Sequence, residues 1–288
     1  MSELIVVPGR RLGRLSPRTD RRTLHMSKYV KALAPPPANC GYVSAIASWP
    51  MDLNDCLGDC TFAAADHMIE QWTGYANPPA VLITDEQTLD AYEAVSGYNP
   101  NDSSSDNGAV MLDVLKYWRA TGIGGHKIVA YVSVNFKDHT EVMQAVQLFG
   151  NCYVGISLPV SAQNPVPGFN GNPVWSTPGG GPVGDGAPGS WGGHSVPIVG
   201  YGVDGEGNAG TEVITWGQVY DMTWGFVDNY VEEAWAVLSA DWIEPDKLAP
   251  SGFSLSELQA DLRDVTGQTV ALTEKRSTQV RLSHLLRK

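Results

Sequence analysis

The sequence predicts an α+β fold of two lobes, a helical lobe followed by an antiparallel, barrel-like sheet lobe, with an extended basic N-terminal arm and a C-terminal tail. Three observations predict it. Helical patterns dominate residues 60–121, and short apolar strands dominate residues 128–239. Runs of one element type followed by runs of the other mark an α+β chain rather than alternating βαβ units. The two segments richest in chemistry, Asn-Asp-Cys-Leu-Gly-Asp-Cys-Thr-Phe-Ala-Ala-Ala (54–65) and Trp-Gly-Gly-His-Ser-Val-Pro-Ile-Val-Gly-Tyr-Gly (191–202), fall one in each half.

The elements follow in order. Ala34-Pro-Pro-Pro37 is a stiff spacer between arm and body. Residues 40–59 read as loop, and the first helix spans 60–74. Gly58-Asp59 frees the chain to turn, and Ala63 to Ala65 let a second layer approach closely, as a buried helix requires. A second helix spans 85–97, with Thr84 as its N-cap and Asp85-Glu86 in its first turn. The polar stretch 99–108 is loop, and a third helix covers 109–121. Residues 128–135 (Ile-Val-Ala-Tyr-Val-Ser-Val-Asn) read as a strand, followed by a helix at 138–149 and a strand at 152–158. Residues 159–193 are Pro- and Gly-rich, with Gly179-Gly-Gly181. So long an irregular stretch predicts a functional loop, and it feeds directly into His194. Strands follow at 195–203, 211–216, 223–229 and 234–239, with a turn at 204–208. Ser254 caps an amphipathic helix at 254–265 that aligns Leu255, Leu258 and Leu262. The expected organisation is an arm and spacer over 1–39, a body over 40–245 (helical lobe 40–125, sheet lobe 126–245), and a C-terminal helix and basic tail over 246–288.

Composition sets outer limits. At 288 residues and 43% apolar, one large domain or one two-lobed domain fits. No stretch approaches the ~18–20 apolar residues that span a bilayer. Leu4-Ile5-Val6-Val7 is too short for a secretory h-region. The net charge of −12 is uneven: residues 1–31 carry eight Lys/Arg against two acids, and 274–288 carry five against one, so the body between them is strongly acidic. Basic ends on an acidic body predict an acidic partner, which is the protein's own body, a second copy in self-association or assembly, or nucleic acid. The acidic body and the lack of any nucleic-acid motif argue against the last. Leu12, Leu15, Leu24, Met26, Tyr29 and Val30, scattered among the charges, suit a packing arm. Cys40, Cys56, Cys60 and Cys152 are too few for a disulfide scaffold; one bridge, Cys40 to Cys152 or to Cys56, and four free thiols both remain open. No cofactor or metal motif emerges, since Cys56, Cys60 and His67 lack the paired spacing of a zinc site.

The chemistry gathers at Cys60 and His194. A helix N-terminus and a neighbouring imidazolium both favour a thiolate, the reactive form of cysteine. Cys60 opens a helix, and His194, 134 positions later, opens an apolar strand. That order and separation suit a thiol nucleophile and its base, which the fold brings together. Acyl transfer also needs donors for a developing oxyanion; the backbone N–H of Cys60 and the side-chain amide of Asn54 are the candidates. Cys56 as nucleophile lacks a small-residue helix directly behind it; His126 lies only 66 residues from Cys60, a shorter spacing, and His194, which opens an apolar strand, fits the base better. The nine tryptophans fall mostly where core packing explains them rather than a sugar-binding surface.

These features resemble the papain-like cysteine peptidases. The likeness extends to Asn107-Gly108-Ala109 with Leu-Asp-Val-Leu-Lys-Tyr-Trp (112–118) and Thr-Gly-Ile (121–123), to residues 138–150 followed by Tyr153-Val-Gly-Ile-Ser-Leu158, and to Ile214-Thr-Trp-Gly217 and Thr223-Trp-Gly225. It covers about residues 40–240. The chain also resembles uncharacterised bacterial and phage proteins with Gly-Asp-Cys-Thr near Trp-Gly-Gly-His. The first resemblance implies a papain-like fold and a cysteine hydrolase acting on a peptide or protein substrate, without a cofactor. Cys60 would attack and His194 would carry the proton. Asn54 stands six residues before Cys60, where such enzymes place a glutamine. Their histidine-orienting asparagine is absent: the positions read Val213-Ile214-Thr215-Trp216-Gly217. Thr215 is the expected substitute, accepting from the imidazole Nδ1–H, with Asp228 and Asn229 as spares; Trp216 would shield the histidine from water. Thr61 stands where an aromatic usually follows the nucleophile. These departures keep a second reading open, a structural or virion-associated assembly protein retaining the fold. A cell-wall amidase is a third. The expected location is cytoplasmic or virion-associated. The basic arm is also a candidate to occupy the cleft.

Overall fold

The computed structural model describes residues 7–30, 33–76, 78–168, 171–203, 209–243, 248–249, 254–266 and 273–274. The predicted turn at 204–208 and the basic tail beyond residue 274 lie outside them. The helices are α1 (Cys60–Ala76), α2 (Asp85–Ser96), α3 (Met111–Ala120), α4 (His139–Phe149), α5 (Trp224–Tyr230), α6 (Ala240–Ile243) and α7 (Leu255–Thr266). The strands are β1 (Cys40–Gly41), β2 (Ile128–Ser133), β3 (Cys152–Leu158), β4 (Val166–Pro167), β5 (Pro173–Trp175), β6 (Gly192–Val203), β7 (Ala209–Thr215), β8 (Gln218–Thr223), β9 (Val231–Ser239), β10 (Leu248–Ala249) and β11 (Thr273–Glu274).

Local chemistry places several boundaries. Thr84 caps α2 in a reciprocal capping box with Gln87, and Gly97 ends the helix in the left-handed conformation. Asp138 caps α4, which ends at left-handed Gly150. One expectation fails. Residues 223–229, read as a strand, form α5 instead, because the Thr223 hydroxyl accepts the Phe226 N–H and starts a helix. The 159–193 stretch is less irregular than its composition suggests: β5 from within it pairs parallel with β8 and brings Trp175 into the core.

The main sheet runs β2-β9-β3-β6-β7-β8-β5-β4, with β1 also on β6. The central strand β3 is buried at every residue. Its register with β6 sets Gly155 opposite Ser195 and Ile156 opposite His194. One apolar cluster joins the sheet to α4, α5 and α7, including Phe149, Val196, Phe226 and Leu258. Another joins α1, α2 and α3 to Tyr153, Trp235 and Val237 of the sheet. The arm packs on the same body: Met26 and Tyr29 are buried, Tyr29 and Lys28 both bond Asp261 of α7, and Leu15 is exposed. The four cysteines are free thiols. Among the described residues, no helix is long and apolar enough to cross a membrane.

Helix α1 is buried from Cys60 to Gly74. Trp72 donates to Phe149 O at 2.7 Å, and Gln71 to Gly150 O at 3.0 Å, tying α1 to the turn between α4 and β3. The helix also takes polar groups inside. Asp66 accepts from Thr88 at 2.6 Å, and His67 Nε2 lies 3.0 Å from Asp52. Burial, with the Asp52 charge adding, holds the Asp66 and Glu70 carboxyls well above the usual range, Glu70 at about 9.

Candidate active site

Cys60 is the first residue of α1 and is 1% exposed. The first turn is anchored twice. Asp59 O accepts from Phe62 and Ala63, and the Tyr153 hydroxyl on β3 donates to Thr61 O at 2.7 Å. The backbone N–H of Ser195, the residue after His194, bears on the Cys60 sulfur. Strand β6 thereby carries His194 next to a residue whose N–H bears on the Cys60 sulfur.

The His194 ring lies between β6 and its neighbour β7. Its Nε2 meets the Thr215 hydroxyl at 2.7 Å. The expectation placed Thr215 on Nδ1; instead the far nitrogen reaches across to the next strand, and Nδ1 is buried without a partner. This leaves Nδ1 for a thiol. Trp216 stacks on the imidazole with ring centroids 4.6 Å apart and planes 17° apart, and Trp175 meets it edge-on. Trp216 holds this pose with a left-handed φ of 47°.

His194, Thr215 and Trp216 are therefore in contact, and Cys60 lies against Ser195, the neighbour of His194 on β6. Asn54 does not join as an oxyanion donor: its amide donates to Asp59 Oδ1 at 3.0 Å and to Leu57 O at 3.2 Å, so both protons are already engaged. The remaining sequence candidates are occupied elsewhere. Asp228 pairs with His139, Asn229 bonds Thr177 and Gly225, His126 pairs with Asp241, and the Cys56 thiol, on an exposed residue, donates to Leu53 O.

The cleft is filled by the chain's own arm. Arg11 N donates to Asn54 O, Ala109 N to Gly13 O, Leu15 N to Ala109 O, and Arg14 N to Gly193 O. Gly13 is gripped between two glycines: a Cβ on Gly13 would lie 1.7 Å from Gly58 O, and a Cβ on Gly108 1.8 Å from Gly13 O. Asp106 holds this wall, accepting from Gly58 N and from the Tyr92 hydroxyl, which in turn accepts from Gly108 N. On the far side, a Cβ on Gly193 would lie 2.0 Å from Arg14 O. Trp216 Nε1 donates to Arg11 O, and Arg10 lies over the Trp216 ring. The N–H of Gly13 bears on the Cys60 sulfur. It is the positive pole of a peptide group, whereas a thiolate attacks carbonyl carbon. The sequence points to the basic arm as a candidate for the cleft but not to Gly13 or Arg14 within it, and to Asp59 only for the turn before Cys60.

Under this cover the Cys60 thiol and the His194 imidazole are both held neutral. Burial, then the Asp59 charge, pushes the Cys60 thiol up to about 12, against the opposing pull of the Gly13 and Ser195 N–H groups and Arg14. Burial, with the Arg14 guanidinium adding, lowers the His194 imidazole to about 3. An unfolded chain binds a proton at this residue near pH ~6.5 that the native site refuses down to about 3. The stability that neutral His194 contributes is thus complete above that window and is lost as the pH falls through it. Urea unfolding near neutrality and on the acid side should show a smaller acid-side loss for His194→Gln than for the wild type.

Among the described residues, Asp52, His67 and Glu70 form a group able to hold a cation, with donor atoms within 4.8 Å of one another. His67 Nε2 there already has Asp52 and Pro50 O at 3.0 Å.

No sequence-family model matches this chain, and neither does any curated protein. Solved structures do. Xylellain, a cysteine protease from Xylella fastidiosa, superposes at a TM-score of 0.57 and 14% identity, over 82% of this chain and 99% of that one. Digestive procathepsin L 3 of Tenebrio molitor gives 0.51 and 14%, over 80% and 76%. Bromelain from Ananas comosus gives 0.50 and 15%, over 70% and 99%. The chain has a papain-like α+β fold.

Proposed function

We propose that this chain is a cysteine hydrolase cleaving peptide bonds, held in a masked state by its own arm. The observation that carries this reading is the Cys60–His194 arrangement: a thiol at the head of a buried helix, against Ser195, and on the preceding residue of that strand an imidazole fixed through Nε2 with Nδ1 unpaired. With the arm out of the cleft, water and substrate reach the site and the burial penalty on both charged forms falls. Nδ1 takes the Cys60 proton, and the thiolate attacks the carbonyl carbon. The backbone N–H of Cys60 donates to the oxyanion. His194 then protonates the leaving amine, which departs as the acyl thioester forms. It next takes a proton from water, whose oxygen displaces the thiol. Thr215 positions the imidazole and Trp216 covers its face.

Thr215→Val is expected to lower kcat by roughly 10- to 100-fold with little change in KM, because general-base efficiency depends on a fixed ring; steady-state kinetics on an unmasked variant check it. The reading itself is tested by peptide hydrolysis with full-length Gly13→Val protein, where valine cannot enter the glycine grip. Cleavage lost on Cys60→Ala and on His194→Ala supports it. A reactive Cys60 that cleaves no peptide would move the reading to an assembly protein retaining this fold.

A further inference from the structure

The side chain of Arg14 enters a pocket that the thiol chemistry does not use. Its residue is 5% exposed. Nη1 donates to Glu233 at 3.1 Å, Nη2 donates to Glu232 at 2.5 Å, and Ser157 Oγ lies 3.5 Å from Nη2. Adjacent strand residues ordinarily face opposite sides of a sheet. Here the β3–β9 register slips, pairing Gly155 with Glu233 but Ile156 with Val231, and both glutamates reach one guanidinium. Glu233 is further held by Trp235 Nε1 at 3.0 Å. Gly155 makes the room: a Cβ there would stand 2.7 Å from Arg14 Cδ and 2.8 Å from Glu233 Cγ. A glycine inside a buried strand weakens it, and close approach of another group is what it permits.

The pocket opens onto the reacting atoms. Arg14 N donates to Gly193 O, one residue before His194, and the preceding Gly13 N–H bears on the Cys60 sulfur. Any peptide that seats a side chain here lays its backbone across the thiol.

We propose that this acidic pocket selects the substrate, taking the guanidinium of an arginine in a peptide or protein, and that Arg14 occupies it in the masked chain. The inference rests on the hydrolase reading for its substrate and adds the residue that substrate must carry. Emptying the pocket leaves two neighbouring carboxylates without the cation they share, a like-charge arrangement that a cationic side chain relieves and an apolar one does not. The planar fork of arginine meets two separate carboxylates, a geometry that the point charge of lysine does not reproduce.

The experiment uses full-length Arg14→Glu protein, whose arm is repelled from the pocket, and full-length Gly13→Val as a second unmasked form. Fluorescein-labelled octapeptides differing only in one central arginine, lysine, leucine or glutamate are titrated by anisotropy and separately tested for cleavage. The arginine peptide should bind about 100-fold tighter than the leucine peptide. Glu232→Gln/Glu233→Gln should erase that preference, and Gly155→Val should abolish binding of the arginine peptide. Equal binding of the arginine and leucine peptides in both unmasked forms overturns the proposal, as does a preference that survives the double substitution. Selective binding without cleavage upholds the pocket and counts against the hydrolase. Cleavage without arginine preference does the reverse.

Discussion

Replacing Gly13 with valine should raise the alkylation rate of Cys60 near pH 6 by at least ~1000-fold. In the masked chain the thiol is pushed up to about 12 by burial. An ordinary exposed thiol titrates near ~8.5, so exposure alone restores more than three orders of magnitude in thiolate fraction. A helix N-terminus and an imidazole that can charge add to this. Valine at residue 13 has no room, since even a Cβ would sit 1.7 Å from Gly58 O. Iodoacetamide labelling read by peptide mass would show Cys60 modified far ahead of its rate in the parent protein, and His194→Ala on the same background would slow it again. A Gly13→Val rate within a few-fold of wild type would mean that the arm does not control access. The exposed Cys56 serves as internal reference, because its thiol bonds Leu53 O and no arm residue.

Trp72→Ala should cost about 3–5 kcal/mol of unfolding free energy, the range for removing a large buried aromatic. Trp72 is fully buried, lies 5.7 Å from Trp118 between ring centroids, and donates to Phe149 O. Its removal opens a cavity and also takes a hydrogen bond away from that carbonyl in the interior. Urea unfolding by fluorescence and by far-UV circular dichroism measures the loss. Trp72→Phe keeps much of the ring volume and should lose less, the difference reporting the hydrogen bond and residual cavity. A loss below about 1 kcal/mol for Trp72→Ala would show that α1 is not held by this contact. The consequence reaches the site, because α1 carries Cys60 at its head.

Much of the fold is legible in the residues. The alanine run behind Cys60 announces a helix that others pack around, and α1 is buried over nearly its whole length. Thr84 and Asp138 announce helix starts because a side-chain oxygen satisfies free N–H groups wherever it occurs. The same chemistry misled at Thr223, where apolar residues suggested a strand and the cap decided for α5. Cys60, His194, Thr215 and Trp216 could be named from their segments. Which nitrogen Thr215 meets could not, because that depends on how far β7 sits from β6. Asn54 is suggested by its amide and by the glutamine that the resembling peptidases carry six residues before the nucleophile, and neither registers that Asp59 competes for that amide.

The sequence by itself determined most of the order of helices and strands, the placement of a thiol at a helix head, and the charge contrast between arm and body; each depends on neighbours along the chain. Only the tertiary structure decided that the arm lies in the cleft, that Arg14 meets two consecutive glutamates, and that thiol and imidazole are both neutral beneath it. Those outcomes depend on contacts between residues as distant as Arg14 and Glu233 and on the exclusion of water from the space between them, which no local pattern encodes.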